Sequence, residues 1–343
     1  MQEIAEGRVR LGFAEATELG TQACVRIGYA PEDARVIANH VVDAALCGYE
    51  YSGLAKILNI IDSRKFANPR TPIRTLRETG VSLMLDGGNN VGMLALYRAA
   101  EAAIAKAEAH GMAMVGINNT WMSGRSAHYV ELIGRAGLVA IHSVSASHQV
   151  APHGGARPTM GTNPIAFAFP GDPDPLVIDM GTSAFMGTDL KFRQRLGIPL
   201  PEGVAIDAKG LPTRDATAAQ LGAILPFGGH KGFALALAMD ALGVMAGSGY
   251  RPDKTDAYIF VVMKPDLLMP MADFKQHLAE TIARIKATPL QPGFDEIRIP
   301  SERSYRERCR NLPVGIDIDR RIHDALKTVA EQGLPPGKGP AAA

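Results

Sequence analysis

A chain of 343 residues, 46% hydrophobic and 21% charged, can bury a large core and reads as one two-lobed unit or two domains. Its Lys+Arg total of 36 against Asp+Glu of 35 leaves a net charge of +1, so no basic excess marks a nucleic-acid or membrane-surface partner. Cys24, Cys47 and Cys309 are scattered and odd in number, which argues against a disulfide framework and for a reducing cytoplasm.

Met1 to Phe13 carries Glu3, Glu6, Arg8 and Arg10 and lacks the apolar centre of a signal peptide. No apolar run approaches the roughly 20 residues of a membrane span; Phe233 to Met245 is the most apolar stretch and is too short. Helical spacing predicts a first helix over Phe13–Ile27, ending near Gly28. Pro31-Glu32-Asp33 starts a second that runs to about Cys47, and a third covers Leu54–Phe66, closed by Asn68-Pro69. Beyond Thr71 the pattern changes. Val81–Asp86 reads as a strand, Gly87 to Asn90 as a turn, Met93–His110 as an Ala-rich helix and Met112–Ile117 as a strand. Ser126–Ala136 reads as a helix, and Leu138–Ser143, Ile165–Phe169 and Leu176–Met180 as strands. Helices over Phe233–Met245 and Phe274–Ala287 flank a strand over Ala257–Met263. A last helix spans Ile316–Glu331, followed by a Pro/Gly/Ala tail expected to be disordered. Strands alternating with helices indicate an α/β protein, but their irregular spacing does not predict a simple doubly wound parallel sheet.

Several familiar site motifs are missing. No Gly-x-Gly-x-x-Gly lies between a strand and a helix, and there is no phosphate-cradling P-loop, His-Glu-x-x-His or Gly-x-Ser-x-Gly. The nine histidines form no helical i, i+4 pair, and no metal site is expected; His142, His148 and His153 are read as polar loop lining. Three glycine-rich segments stand out instead. One runs from Pro152-His153-Gly154-Gly155 to Met160-Gly161-Thr162-Asn163-Pro164. The second is Asp179-Met180-Gly181-Thr182-Ser183, at the exit of a strand. The third, Pro226 to Gly232, feeds the N-terminus of the Phe233 helix and carries His230 and Lys231. A cation at the positive end of a helix dipole is unfavourable by itself, so Lys231 there points to an anion nearby.

These segments, in this order, resemble the malate/L-lactate dehydrogenase-like oxidoreductases, from roughly Phe13 to Ile318. The matching fragments are Asp86 to Gly92, Gly161 to Pro164, Ile178 to Ser183, Leu200-Pro201-Glu202-Gly203 with Asp207, and Gly228 to Gly232. The resemblance implies a non-Rossmann nicotinamide-binding α/β fold with a large mixed sheet. It also implies a helical lobe over 1–76, to which 305–343 returns, a dinucleotide-binding domain over 77–304, and a homodimer. By motif, Ser145, Ala146, His153, Asn163, Met180, Gly181, Thr182, His230 and Lys231 would line NAD or NADP. Ser301, where the family usually has the glycine of Pro-Gly-Glu, would close over it.

The chain departs from the family in two places. Where the family usually shows Arg and then Ser-His-Gly, Cys47 to Gly53 places Cys47 for the Arg and Ser52 for the His. Where it usually shows Asn-His-x-Gly, Trp121-Met122-Ser123-Gly124 places Met122 at the histidine. A 2-oxo acid reductase needs a proton donor beside the carbonyl and a cation for the carboxylate, and methionine is neither. Ser52, Ser123, His128 and Asp189 are therefore candidates for the catalytic groups. Tyr51, Trp121, Met122 and Arg125 are candidates for the substrate pocket, with Trp121 equally readable as core and Arg125 as a surface residue. The expected activity is hydride transfer between a nicotinamide and a C=O or C=N carbon of a small substrate. A ketimine, which arrives protonated, is one way to dispense with the histidines; a binding protein without redox activity is the rival from another class.

Overall fold

The computed structural model describes residues 6–249 and 256–334. β1 (Arg8–Leu11) leads into α1 (Phe13–Arg26), α2 (Pro31–Leu46) and α3 (Ala55–Ile61). β2 (Arg74–Glu78), β3 (Ser82–Asp86), α4 (Gly92–His110), β4 (Met112–Thr120), α5 (Ser126–Arg135), β5 (Val139–Ser145), β6 (Ile165–Phe169) and β7 (Leu176–Met180) follow. Then come α6 (Gly187–Leu196), β8 (Ala205–Ile206), α7 (Ala216–Leu221), β9 (Ala223–Ile224), α8 (His230–Met245) and β10 (Asp256–Met263). α9 (Met271–Lys286), α10 (Glu302–Val314), β11 (Ile316–Asp319) and α11 (Arg320–Gln332) complete the chain.

Seven strands form one mixed sheet in the order β2-β3-β4-β10-β5-β6-β7. Only β3 and β4 pair in parallel; every other neighbour is antiparallel. β10 is laid between β4 and β5, and its near-continuous apolar sequence, Ala257 to Met263, matches a strand covered on both faces. Val115 and Ile117 of β4 join the core under α4 and α5. Gly116 between them lies against Ala246, at the end of α8 on the opposite face. A second core gathers α1, α2, α3 and α11 with the first residues of α4 and with Trp121. The two ends of the chain are tied by β1 and β11, which pair antiparallel from Arg8↔Asp319 to Leu11↔Ile316.

Several expected boundaries move. The last helix does not start at Ile316: Ile316–Asp319 alternates as a strand, and the Asp319 carboxylate caps Arg321 N–H, so α11 starts at Arg320. The third helix stops at Ile61, and a separate 3-10 turn covers Arg64–Ala67. The apolar helix begins at His230, three residues before the expected Phe233. β1, β2, α6, α7, α10 and the β8–β9 pair were not foreseen; α6 and α10 are strongly polar, and α6 carries little apolar periodicity. The expected disordered tail, beyond Leu334, lies outside the described residues. Among the described residues no helix is long and apolar enough to cross a membrane.

Candidate active site

The three glycine segments are sewn together by backbone hydrogen bonds. Thr182 N–H and its hydroxyl both donate to Thr162 O at 3.0 Å, and Phe227 N–H donates to Thr182 O at 3.1 Å. Buried Asn163 accepts from Ala146 N–H at 3.0 Å and donates to Ala236 O at 3.1 Å, locking this assembly to the end of β5 and to α8. Ser145 donates to Asp240 of α8 at 2.7 Å; a Cβ on Gly243 would lie 2.2 Å from the Ser145 Cβ, so α8 approaches β5 through a glycine. Ser145, Asn163 and Thr182 thus spend their polar groups inside the protein. Ala146, Met180 and Gly181 are partly open, and His153, His230 and Lys231 are exposed.

Gly228 and Gly229 turn the chain into α8 at φ +55° and +61°. The His153 and His230 rings lie 6.3 Å apart at this turn, beside Lys231 and the N-terminus of a 16-residue helix. Backbone N–H groups, a lysine and two imidazoles suit a diphosphate, so the residues present fit a dinucleotide. Ser301 adopts φ +66°, a left-handed conformation that favours glycine, but it stands at the N-cap position of α10 near the β6–β7 turn, where Tyr305 donates to Pro175 O at 3.0 Å. That turn is the far end of the β6–β7 hairpin from Met180–Thr182, so within one chain Ser301 does not join the glycine segments.

Between these segments and the helical core lies a cleft of about 260 Å³. Trp121, Met122 and Ser123 form one wall, Tyr258 of β10 another, and Lys56 of α3 with Thr188 of α6 close the lobe side. Met122 sits at φ +58°, a left-handed conformation uncommon for a side chain of this size. Gly124 follows at φ +79°, and a Cβ there would lie 2.1 Å from His40 Nε2. The loop is anchored from both sides. Gly92 N–H donates to Trp121 O at 2.6 Å, Trp121 Nε1–H to Asn89 O at 3.1 Å, and Arg125 N–H to His40 Nε2 at 2.9 Å. Burial holds His40 neutral, and because Nε2 accepts, its hydrogen is on Nδ1. Burial likewise holds the Tyr258 phenol well above its ordinary value; its hydroxyl donates to Asp256 at 3.4 Å, and Asp256 also accepts from Ser147 at 3.1 Å.

Lys56 of α3 also lines the cleft, and motif reading did not single it out. Its side chain is 4% exposed, and its ammonium reaches Thr188 Oγ1 at 3.5 Å. No carboxylate among the described residues lies within ion-pair distance of it. Burial, and then the charge of Lys191, push it down to about 8. The signal was present in the sequence: Lys56 is the one charged residue in the apolar run Leu54-Ala55-Lys56-Ile57-Leu58.

Arg125 and His128 point elsewhere. Arg125 donates to Asp43 at 2.8 Å, His128 Nδ1 lies 3.3 Å from the same carboxylate, and Arg308 Nε is 2.9 Å from its other oxygen. Arg308 also grips Glu131 with two bonds of 2.6 and 2.7 Å. Burial alone would raise the Asp43 carboxyl, but the His128 hydrogen bond and the Arg125 and Arg308 charges hold it well below the usual carboxylate range. Arg125 and His128 therefore belong to a buried ion network behind the loop and do not line the cleft. Asp189 pairs with Arg193 at 3.3 Å. Tyr51 is half-buried; burial, with Tyr49 and Asp189 nearby, pushes its phenol up to about 12. Ser52 is buried in the 3-10 turn Glu50–Ser52, four residues before Lys56.

Comparison with known proteins agrees with this architecture. The family described as malate/L-lactate dehydrogenase matches residues 11–327. L-sulfolactate dehydrogenase of Methanocaldococcus jannaschii is 31% identical over 90% of this chain and 92% of its own. The Delta(1)-pyrroline-2-carboxylate/Delta(1)-piperideine-2-carboxylate reductase of Pseudomonas putida is 33% identical over 93% and 96%. The crystal structure of a dehydrogenase from Sinorhizobium meliloti superposes with a TM-score of 0.86 at 28% identity, covering 94% of this chain and 98% of that one. The chain belongs to the malate/L-lactate dehydrogenase family and is a nicotinamide-dependent oxidoreductase.

Proposed function

We propose that the substrate pair is a small 2-oxo acid and its 2-hydroxy acid, with a second anionic group on the substrate. The observation that carries this is the charge of the cleft, whose lining brings Lys56, Arg64, Lys65 and Lys191 against the single carboxylate of Asp256. The names of the Methanocaldococcus relative and of a malate dehydrogenase from Pyrococcus abyssi point to substrates of that type. When bound, NAD or NADP supplies the hydride acceptor or donor. His153, His230 and Lys231 would hold its diphosphate at the start of α8, and Ala146, Met180 and Gly181 its reactive end. Trp121 and Met122 exclude water from the cleft, the Ser123 side chain hydrogen-bonds the Tyr258 phenol, and the basic rim orients the acid.

A second reading, reduction of a cyclic imino acid, is favoured by the apolar wall of Trp121 and Met122 and by the name of the Pseudomonas relative. One panel separates the two: steady-state kinetics with mono- and dianionic 2-oxo acids and with cyclic imino acids, each with NADH and NADPH. The first reading expects the lowest KM for a dianionic 2-oxo acid. Turnover confined to imino acids overturns it, and turnover confined to 2-oxo acids sinks the second.

We base the homodimer on apolar side chains left half-buried on α9 and exposed on α8. Phe274, Leu278 and Ile282 recur at helical spacing on α9, which has no buried residue, and Leu237, Val244 and Met245 of α8 are 55–66% exposed. Light scattering that returns a mass near 36.5 kDa would exclude it. Three free cysteines suit residence in the cytoplasm.

A further inference from the structure

Lys56 is a buried cation without a counter-ion among the described residues, and it lines the cleft from α3. The buried carboxylates behind the Trp121–Arg125 loop, and Asp189 beside the cleft, are by contrast matched. Asp43 has Arg125, His128 and Arg308, Glu131 has Arg308 and Arg135, and Asp189 has Arg193. A lone buried ammonium is costly, and such a group persists where an anion or a proton is to be handled. The charged and titratable groups around it come from every neighbouring element. They are Lys191 on α6, Arg64 and Lys65 on the 3-10 turn, neutral His40 on α2, and Asp256 and Tyr258 on β10. None of these is an ion-pair partner for Lys56, and Asp256 is hydrogen-bonded to Ser147 and Tyr258.

Resting on the 2-oxo acid reading above, we propose that Lys56 is the proton donor of reduction and the proton acceptor of oxidation, in the place of the histidines absent at Ser52 and Met122. In reduction the carbonyl carbon receives a hydride from the reduced nicotinamide. The C=O π pair takes a proton from the Lys56 ammonium, and the neutral amine left behind regains its proton from water by way of the Thr188 side. In oxidation the neutral amine removes the hydroxyl proton as hydride leaves the carbon. Tyr258, another donor in the cleft, is worse suited, because its phenol is held well above its ordinary value by burial and donates to Asp256. The push from burial and Lys191, down to about 8, brings Lys56 into the range where a general acid works near neutral pH.

Lys56→Arg separates a proton carrier from a fixed cation, because a guanidinium keeps the charge and does not give up its proton. The expected result is KM for the acid within about threefold of wild type and kcat of reduction lower by about 10²–10⁴. In wild type, reduction should fall and oxidation should rise with pH around 8, and Lys56→Arg should lose both limbs. Lys56→Met should lose both binding and turnover. A readout independent of turnover is the NMR titration of the Lys56 ammonium in the cofactor-free protein, assigned by its loss in Lys56→Met and expected to have a midpoint near 8. The substrate reading fails if wild type turns over only cyclic imino acids. The Lys56 assignment fails separately: if Lys56→Arg keeps kcat and the pH limbs on whichever acid is turned over, or if the ammonium titrates above about 10.

Discussion

Two buried charge sites lie on either side of the Trp121–Arg125 loop, and they are built to opposite rules. Behind the loop, Asp43 and Glu131 are matched by Arg125, His128, Arg308 and Arg135, with heavy-atom separations of 2.6–3.3 Å. In front of it, Lys56 lines the cleft with a 3.5 Å contact to a threonine hydroxyl and, among the described residues, no ion-pair partner. A matched cluster is rigid and has no capacity left for a ligand, so it serves as scaffold at the Arg125 end of the loop. An unmatched cation is destabilising until substrate arrives. Scaffold and chemistry are told apart here by the pairing of the charges and not by residue type, since both sites are basic and both are buried.

The sharpest way to break the contrast is to unmatch the matched side. Asp43→Asn leaves Arg125 and Arg308 facing each other without their carboxylate, and unfolding in urea at pH 7 should show a loss of about 3 kcal/mol. Because the Asp43 carboxyl is held low in the folded state, its stabilisation is present at neutral pH. That stabilisation is lost as pH falls below the ordinary carboxylate range, so wild type and variant should converge there.

The converse change removes the unmatched charge. A folded value of about 8 against an ordinary 10.5 means that both states bind the proton below pH 8, where the folded state carries a cost on the order of 3 kcal/mol. Lys56→Met should therefore be more stable than wild type at pH 7, by roughly 1–3 kcal/mol. Between pH 8 and 10.5 the unfolded chain holds a proton that the folded chain lacks, so wild-type stability rises and the gap narrows. A variant less stable than wild type at pH 7 would mean that Lys56 has a partner after all.

The smallest effect is expected from a redundant member of the matched side. His128→Gln keeps Arg125 and Arg308 on Asp43 and should cost about 1 kcal/mol in the same urea experiment. A loss as large as that of Asp43→Asn would show that the network depends on the imidazole.

Much of the site could be read from single residues. The glycine segments around Thr162, Thr182 and Gly229 were legible because sharp turns and helix starts need particular local residues. The departures read at Ser52 and Met122 rest on the neighbouring residues that still resemble the family motif. Arg125 and His128 could not be placed, because whether a charge near the site serves substrate or scaffold depends on Asp43 and Arg308, 82 and 183 residues away from Arg125. Lys56 stood out only as a charge in an apolar run, which a snorkelling surface lysine would also produce.

The sequence by itself determined the α/β alternation, the order of the glycine segments, the glycine-rich entry to the helix near Lys231 and the family to which these belong. All are local patterns set by side-chain period, by glycine and by helix capping. The tertiary structure alone decided that β10 enters the sheet between β4 and β5, that Ile316–Asp319 pairs with β1, and which buried charges are matched. Each of these depends on partners far apart in the chain, and the energy of a buried charge is set by what folding brings within a few ångströms of it.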